Sequence, residues 1–225
     1  MLGKAIRAFK KEPNKLKLAE HAVLAAHAFF ARRALSRHGI DKLLFDVPAS
    51  AKPYSPTEMW WLYRDIITRK PKSVIELGCG YSTLVIRAAL KANGEGFLHS
   101  IDAEQEWIAE WQRHIPPDLA AFGKIEFCAV KRCNYRGMNG HCYDRSIPAA
   151  IDYLFVDGPS PRSVPSWSGP AMALDPILWA SAFRTHSKMV IEGRNHNAAF
   201  LLSMMPEVFN RRRNPPLLWV SFERS

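Results

Sequence analysis

The sequence predicts an α/β protein with a mostly parallel sheet and helices on both faces of that sheet. From about residue 55 onward, short apolar segments alternate with segments of helical periodicity, and this alternation is typical of parallel strands joined by helices. Four of the inferred strands end at an acidic residue, namely Glu76, Asp102, Asp157 and Glu192. Because ligands bind such sheets at the carboxyl ends of the strands, the same pattern predicts where a functional site lies.

Composition places the chain among single-domain globular proteins. It has 225 residues, of which 48% are hydrophobic, enough to bury a sizeable core. The start, MLGKAIRAFKKEPNK, is too charged for a signal peptide, and the apolar stretch HAVLAAHAFFA is too short to span a bilayer. The 4 cysteines, without a secretion signal, are typical of reduced thiols. We therefore expect a cytoplasmic protein with one domain over residues 55–225 and a basic helical extension over residues 1–54.

Basic residues are concentrated near the two ends of the chain, which has a net charge of +10. The cationic residues of these clusters are Lys4, Arg7, Lys10, Lys11, Lys15 and Lys17, opposed by Glu12, and Arg211, Arg212 and Arg213. Such clusters hold some proteins on anionic lipid, nucleic acid or an acidic polymer, and they form an ordinary solvated surface in others. Charge alone names no partner, so a solvated surface and a peripheral membrane association both stay open.

Two helices are predicted before the first strand. An amphipathic helix over residues 14–37 is indicated by apolar residues at helical spacing, namely Leu16, Ala19, Val23, Ala26 and Phe30. We expect this apolar stripe to pack on the domain. A second helix, over residues 56–69, begins with Ser55 as N-cap, Pro56 at the first position and Glu58 completing a capping box. Pro71 ends it, because the residue before a proline disfavours helical geometry.

The remaining elements follow from the same alternation of apolar runs and helical periodicity. In chain order, the sequence predicts strand 73–77, helix 82–92, strand 97–101, helix 103–114, strand 125–130, strand 152–156, a helix near 176–185, strand 188–192, helix 196–204 and strand 217–222.

The turn after the first of these strands has the composition of a nucleoside-binding turn. Gly78 and Gly80 let the backbone turn tightly and approach a ligand, and the free N–H groups of the following helix point into the same space. Asp102 lies 24 residues after Gly78, at the spacing of a carboxylate that binds the hydroxyls of a ribose. Glu76 would repel a pyrophosphate and attract an ammonium group, and Thr83 replaces the third glycine of a nicotinamide site. The pattern therefore favours a nucleoside with a cationic tail, such as S-adenosylmethionine.

Three segments in order, VIELGCGYST, SIDAE and DYLFVDGP, resemble the motifs of small Rossmann-like class I methyltransferases over roughly residues 55–195. The resemblance implies a doubly wound seven-stranded sheet of order 3-2-1-4-5-7-6 and S-adenosylmethionine as cofactor. Ser82 stands where the usual motif has a third glycine, and its hydroxyl suits a helix start. By resemblance, the methionine part would be surrounded by Glu76, Gly78, Gly80, Tyr81 and Ser82, the ribose would be bound by Asp102, and the adenine would be flanked by Val130 and Lys131.

Asp157 ends the strand of the VDGP motif and is the candidate catalytic residue. It would act as a base if the acceptor must lose a proton, or it would only shape the donor pocket; the sequence leaves both roles open. In the metal-dependent catechol-type enzymes a strand-4 acid joins an acid and an amide after strand 5 to hold magnesium. Glu192 and Asn195 would be those partners here, but IEGRN inserts Arg194 between acid and amide and departs from that pattern.

The loop over residues 158–170 follows this strand and is rich in proline and serine. Connections this long in compact domains are typically binding loops or lids, so Arg162 and Trp167 are the candidate acceptor-binding residues. The VDGP motif is similar to that of some polysaccharide O-methyltransferases, which implies methyl transfer to oxygen on a small molecule or saccharide. The alternatives are an enzyme acting on nucleic acid or another anionic polymer, and a non-catalytic donor-binding module.

Overall fold

Nine strands and eight helices are found in the part of the chain that the computed structural model describes, which is residues 13–45, 47, 51, 54–160, 163–164, 172–205, 209–213 and 220–224. Of residues 13–21 and 209–213 it describes the backbone alone. The helices are α1 Pro13–Arg37, α2 Ile40–Phe45, α3 Pro56–Arg69, α4 Tyr81–Asn93, α5 Gln105–Arg113, α6 Pro117–Ala120, α7 Asp175–Leu178 and α8 Asn195–Met204. The strands are β1 Ser73–Leu77, β2 Phe97–Asp102, β3 Gly123–Phe127, β4 Val130–Tyr135, β5 Met138–Tyr143, β6 Ile151–Val156, β7 Phe183–Ile191, β8 Phe209–Arg213 and β9 Val220–Arg224.

Seven of these strands form one sheet in the order β3-β2-β1-β6-β7-β9-β8. Strands β3, β2, β1, β6 and β7 run parallel, whereas β9 and β8 are antiparallel to their neighbours. The predicted α/β class with a mostly parallel sheet is confirmed. The chain winds outward from β1 to β3 and then returns to β6 on the other side of β1, so the topological switch point lies between β1 and β6.

A β-hairpin that the sequence did not reveal separates β3 from β6. Strands β4 and β5 pair antiparallel in a sheet of their own, joined by Arg136 and Gly137 with φ of 49° and 87°, the positive values that a tight hairpin turn requires. The described part of the chain therefore has nine strands, two more than the seven predicted. The hairpin also shifts the numbering of every later strand relative to the predicted order 3-2-1-4-5-7-6. The third strand ends at Phe127, and Val130 opens the hairpin.

The helix predicted near residues 176–185 is shorter than expected. The chain forms α7 and then one 3₁₀ turn, Ala180–Ala182, before β7 begins at Phe183. Pairing of Phe183 with Ile151 of β6 already starts at this point. Ladder hydrogen bonds to the sheet thus take residues that local periodicity assigned to a helix.

Two hydrophobic layers enclose the sheet, one on each face. Because successive side chains of a strand point to opposite faces, Leu154 and Val156 of β6 belong to the layer that contains Leu201 of α8, while Tyr153 and Phe155 belong to the layer built with α3 and α4. Helices on both faces are therefore confirmed. This packing makes the strands rigid supports for the side chains at their carboxyl ends.

Helix α1 does not pack as the sequence predicted. Its carboxyl-terminal part lies against α3 and buries Ala31 and Leu35, but Val23, Ala26 and Phe30 of the expected apolar stripe are exposed. The expectation that this stripe packs on the domain was wrong for these three residues, whereas the side chains of Leu16 and Ala19 lie outside what the structure describes. None of the described helices is long and apolar enough to cross a membrane.

Candidate functional site

The turns after β1 and β6 touch each other at the switch point. Gly78 has a φ of 90°, and a Cβ added to it would lie 2.8 Å from the backbone N of Gly158. A Cβ added to Gly158 would lie 2.6 Å from the N of Gly78. Both distances are far below normal contact, so the two backbones approach as closely as only glycine allows. The predicted glycine turn after β1 therefore packs directly against the backbone that follows β6.

Asp102, at the end of β2, holds the other side of the same turn. Its carboxylate accepts hydrogen bonds from the backbone N–H of Cys79 at 2.9 Å and of Glu104 at 3.0 Å. The indole of Trp107 donates to the carbonyl of Cys79 at 2.8 Å. Burial raises the pKa of Asp102, and the backbone N–H groups oppose that rise. These contacts hold the carboxylate beside the turn, where the ribose contact is predicted.

Glu76 lies beneath the turn and has no exposed surface (0%). Its carboxylate accepts hydrogen bonds from the hydroxyls of Ser82 at 2.5 Å, Thr83 at 2.7 Å and Ser100. Burial raises its pKa to about 7, against the lowering effect of the three hydroxyls. Glu76 thus ties β1 to β2 and to the start of α4. The predicted contact between Glu76 and a ligand stays a prediction, and the hydrogen bonds give this residue a positioning role.

The amino-terminal end of α4 is organised by the same group of hydroxyls. Thr83 accepts a hydrogen bond from the backbone N–H of Gly80 at 3.0 Å while it donates to Glu76. A Cβ on Gly80 would meet nothing within 4 Å, so open space adjoins this turn. Tyr81, the first residue of α4, packs its ring against Tyr54 with 5.1 Å between centroids. The turn is fixed from below and open beside Gly80.

Asp157 is exposed directly after β6. Its backbone N–H donates to the carbonyl of Leu77 at 2.9 Å, which joins it to the end of β1. Arg194 donates to the carbonyl oxygens of Asp157 and, at 2.9 Å, of Pro159. Burial lowers the pKa of Arg194, and the carboxylate of Asp157 counteracts this. Asp157 is thus a negative charge at the switch point with a guanidinium beside it.

Two further residues, Tyr143 and Arg194, border the β6 turn, and sequence reasoning assigned neither of them to the site. Tyr143 approaches Gly158 so closely that its hydroxyl would lie 2.8 Å from a Cβ there. Asp175 accepts a hydrogen bond from the backbone N–H of Tyr143 at 2.9 Å, and burial raises the pKa of this carboxyl to about 8. Tyr143 and Asp175 follow no strand-end pattern, so no sequence signal marks them. Arg194 had one signal, its place between the acid and the amide of IEGRN.

The residues of the magnesium alternative lie along the end of β7. Glu192 follows the strand and donates its backbone N–H to Val156 at 3.0 Å, and Asn195 opens α8. Within the described ranges, no group of three His, Cys, Asp or Glu residues could hold a metal ion. The guanidinium of Arg194 lies beside Asp157. Its positive charge would weaken the attraction between the Asp157 carboxylate and a dication. The donor set therefore fits a divalent ion poorly.

The structure brings together most of the residues that the sequence assigned to the site. Gly78, Gly80 and the buried pair of Glu76 and Ser82 belong to the β1–α4 turn, with Asp102 on one side and Asp157 on the other. Val130 is half-buried at the start of β4, two residues beyond Cys128, whose backbone N–H donates to the carbonyl of Asp102 at 2.8 Å. The candidate acceptor residues Arg162 and Trp167 lie outside the described residues.

Comparison with solved structures gives the same fold in several proteins. The SAH-bound Podospora anserina methyltransferase PaMTH1 has a TM-score of 0.56 at 14% identity and covers 92% of this chain and 95% of its own. The O-methyltransferase from Bacillus cereus in complex with SAH has a TM-score of 0.55 at 11% identity, covering 90% and 100%. A methyltransferase from Geobacter sulfurreducens has a TM-score of 0.51 at 12% identity, covering 90% and 88%. Neither a protein-family model nor a curated relative matches the sequence. The chain therefore shares its fold with structures of class I methyltransferases.

Proposed function

We propose that this protein is an S-adenosylmethionine-dependent methyltransferase that methylates an oxygen atom of a small molecule or saccharide. One observation carries the proposal: the glycine turn after β1 is bracketed by the buried carboxylate of Asp102, bound to Cys79, and by the exposed carboxylate of Asp157. A ribose and an ammonium group at the two ends of one ligand would satisfy both acids. The SAH complexes of the Podospora and Bacillus proteins, which share the fold, support this choice of ligand.

The arrangement gives each end of the donor a separate partner. Asp102 would accept hydrogen bonds from the ribose hydroxyls. Asp157 is exposed whereas Glu76 is wholly buried, so the ammonium of the methionine part would be attracted chiefly by Asp157 and would feel Glu76 at longer range. The open space beside Gly80 would accommodate the chain between them. Val130 and Lys131 remain the proposed neighbours of the adenine.

The chemistry asks little of the protein beyond positioning. The sulfonium donor supplies an activated methyl group when it is bound. Holding an acceptor oxygen in line with that methyl group contributes up to roughly 7–11 kcal/mol in favourable cases. An acceptor hydroxyl must also lose its proton; Asp157 would be the base for that step in place of the ammonium contact, not in addition to it. Arg162 and Trp167 remain the proposed acceptor-binding residues.

Donor binding is the first test of the proposal. Isothermal titration calorimetry with S-adenosylhomocysteine is expected to show saturable binding, whereas NAD should give none, because Thr83 replaces the third glycine of a nicotinamide site and the carboxylate of Glu76 beneath the turn would repel a pyrophosphate. Binding of NAD without binding of S-adenosylhomocysteine would overturn the proposal. Transfer itself is then measured as release of S-adenosylhomocysteine over a panel of phenolic and saccharide acceptors, with and without a chelator. Donor binding without turnover on any acceptor would assign a non-catalytic module.

The two carboxylates should be separable by comparing S-adenosylhomocysteine with adenosine, which lacks the amino-acid tail. Asp102→Asn is expected to weaken both ligands about equally, since both carry the ribose. Asp157→Asn should weaken S-adenosylhomocysteine roughly tenfold, as for one charged contact, and leave adenosine nearly unchanged. Thermal unfolding of both variants controls for damage to the turn. Equal losses for the two ligands in Asp157→Asn would contradict the ammonium contact.

A further inference from the structure

The side chains of helix α1 are mostly exposed over residues 22–30. The helix contains 25 residues and is therefore about 37 Å long. Ala31 and Leu35 near its carboxyl end are buried, whereas every side chain from Ala22 to His27 is exposed. Helices of globular proteins normally bury an apolar face, since most of their stability comes from tertiary packing. The described part of α1 before Ala31 has no such cover.

Several bulky apolar side chains are exposed on residues 22–30 of α1 and on α2. We call them the α1–α2 patch: Val23, Leu24, Phe29, Phe30 and Phe45. Phe30 is 67% exposed and Phe45 is 90% exposed. Single exposed apolar residues are ordinary. A group of five on two neighbouring helices, three of them phenylalanines, is a candidate interaction surface.

Positive charge surrounds the α1–α2 patch. A cleft of 810 Å³ lies between α1 and α2, and its lining includes Phe29 and Phe45 together with Arg32, Arg33 and Lys42. Residues 22–45 contain four Lys or Arg residues and one acid, Asp41. The sequence before them adds the basic run of residues 4–17. The partner of this surface must therefore offer both an apolar phase and negative charge.

We propose that the α1–α2 patch docks the protein on an anionic phospholipid bilayer, with α1 lying in the plane of the interface. The phenylalanines would enter the boundary between headgroups and acyl chains, while Arg32, Arg33 and Lys42 would contact lipid phosphates. An anionic leaflet attracts each Lys or Arg near its surface by about 1 kcal/mol. The inference does not rest on the proposed methyltransferase activity.

Charge argues against the other occupants of this surface. A second copy of the chain would place the same basic residues against each other, because a twofold interface uses one patch on both subunits, and the extension has an excess of Lys and Arg over Asp and Glu. Nucleic acid would satisfy Arg32 and Arg33 but would leave Phe30 and Phe45 in water. An anionic bilayer satisfies the cations and the phenylalanines together.

Co-sedimentation of the full-length protein with vesicles tests the inference. Binding to mixed phosphatidylcholine and phosphatidylglycerol vesicles is expected to exceed binding to phosphatidylcholine alone by at least about tenfold, and to fall as salt is raised. The double variant Arg32→Gln and Arg33→Gln should lose roughly 30-fold, because each removed cation is worth about fivefold near an anionic surface. Arg113→Gln with Arg136→Gln removes two exposed cations elsewhere and should lose little.

The apolar part of the contact has its own matched pair. Phe29→Ala with Phe30→Ala is expected to reduce vesicle binding at least about tenfold, whereas Phe97→Ala with Phe127→Ala, which removes two exposed phenylalanines from strands β2 and β3, should leave it unchanged. Equal binding to neutral and anionic vesicles, or equal losses in both phenylalanine pairs, would overturn the inference. So would an absence of vesicle binding with a concentration-dependent dimer in ultracentrifugation that the Phe29 and Phe30 changes abolish, which would assign the patch to a second copy.

Discussion

Gly78→Ala is expected to abolish detectable binding of S-adenosylhomocysteine and to lower the free energy of unfolding by about 3 kcal/mol or more. The added Cβ would lie 2.8 Å from the N of Gly158, and the residue has a φ of 90° that side-chain-bearing residues rarely adopt. The β1 and β6 turns would have to move apart, taking Asp157 away from the turn. Titration calorimetry measures the loss of binding, and urea denaturation measures the change in the free energy of unfolding.

Gly137→Ala is the matched control for this variant. Gly137 has a φ of 87°, nearly the same as Gly78, but an added Cβ meets nothing within 4 Å. The free energy of unfolding of Gly137→Ala should therefore fall only by the cost of placing alanine at a positive φ, about 1–2 kcal/mol. Its affinity for S-adenosylhomocysteine should be unchanged. The difference between the two variants isolates the close approach of Gly78 to Gly158. Similar stability losses in both, with ligand binding retained in Gly78→Ala, would show that the turns are not packed as described.

Glu76→Gln is expected to remove a pH-dependent loss of stability. The folded protein raises the pKa of this carboxyl from 4.5 to about 7, chiefly through burial. Its stabilising contribution is thus fully present below about pH 4.5 and is lost as the pH rises through about 7. Wild-type protein should lose about 2–3 kcal/mol between pH 5 and pH 8 through this group, and the variant should not. The measurement is the free energy of unfolding at both pH values.

Asp175→Asn provides the control for the role of Glu76. Burial raises the pKa of Asp175 to about 8, so this change should remove a comparable pH dependence while donor affinity stays intact. Glu76→Gln should weaken S-adenosylhomocysteine and adenosine to the same extent, because Glu76 positions the turn through Ser82, Thr83 and Ser100. A larger loss for S-adenosylhomocysteine would instead support the direct ammonium contact that the sequence predicts.

Local sequence signals were sufficient to predict helix α3 and strand β1. Helix α3 spans the predicted residues, and Ser55 accepts the predicted capping hydrogen bond from the N–H of Glu58 at 3.4 Å. Strand β1 also has the predicted bounds. These succeed because caps, prolines and glycine turns act through neighbours within a few residues. The boundary at residue 55 between extension and domain stays a prediction.

Local signals failed where distant segments compete for a residue. The β4–β5 hairpin is built from a largely polar stretch with no apolar alternation to mark it, and β7 takes residues from a predicted helix because β6 pairs with them. The apolar stripe of α1 indicated a helix correctly, but periodicity cannot tell whether Val23 and Phe30 meet a partner surface. Burial is a property of the whole fold.

The class of fold, the glycine turn and the order in which carboxylates follow the strands could all be predicted, because they depend on spacing along the chain. The environment of each carboxylate could not. Glu76 is enclosed by three hydroxyls, Asp102 is bound to the turn, and Asp157 is exposed beside Arg194. Three acids of similar chemistry therefore differ in environment, because burial and hydrogen-bond partners set the energy of a charge, and both come from residues far apart in sequence.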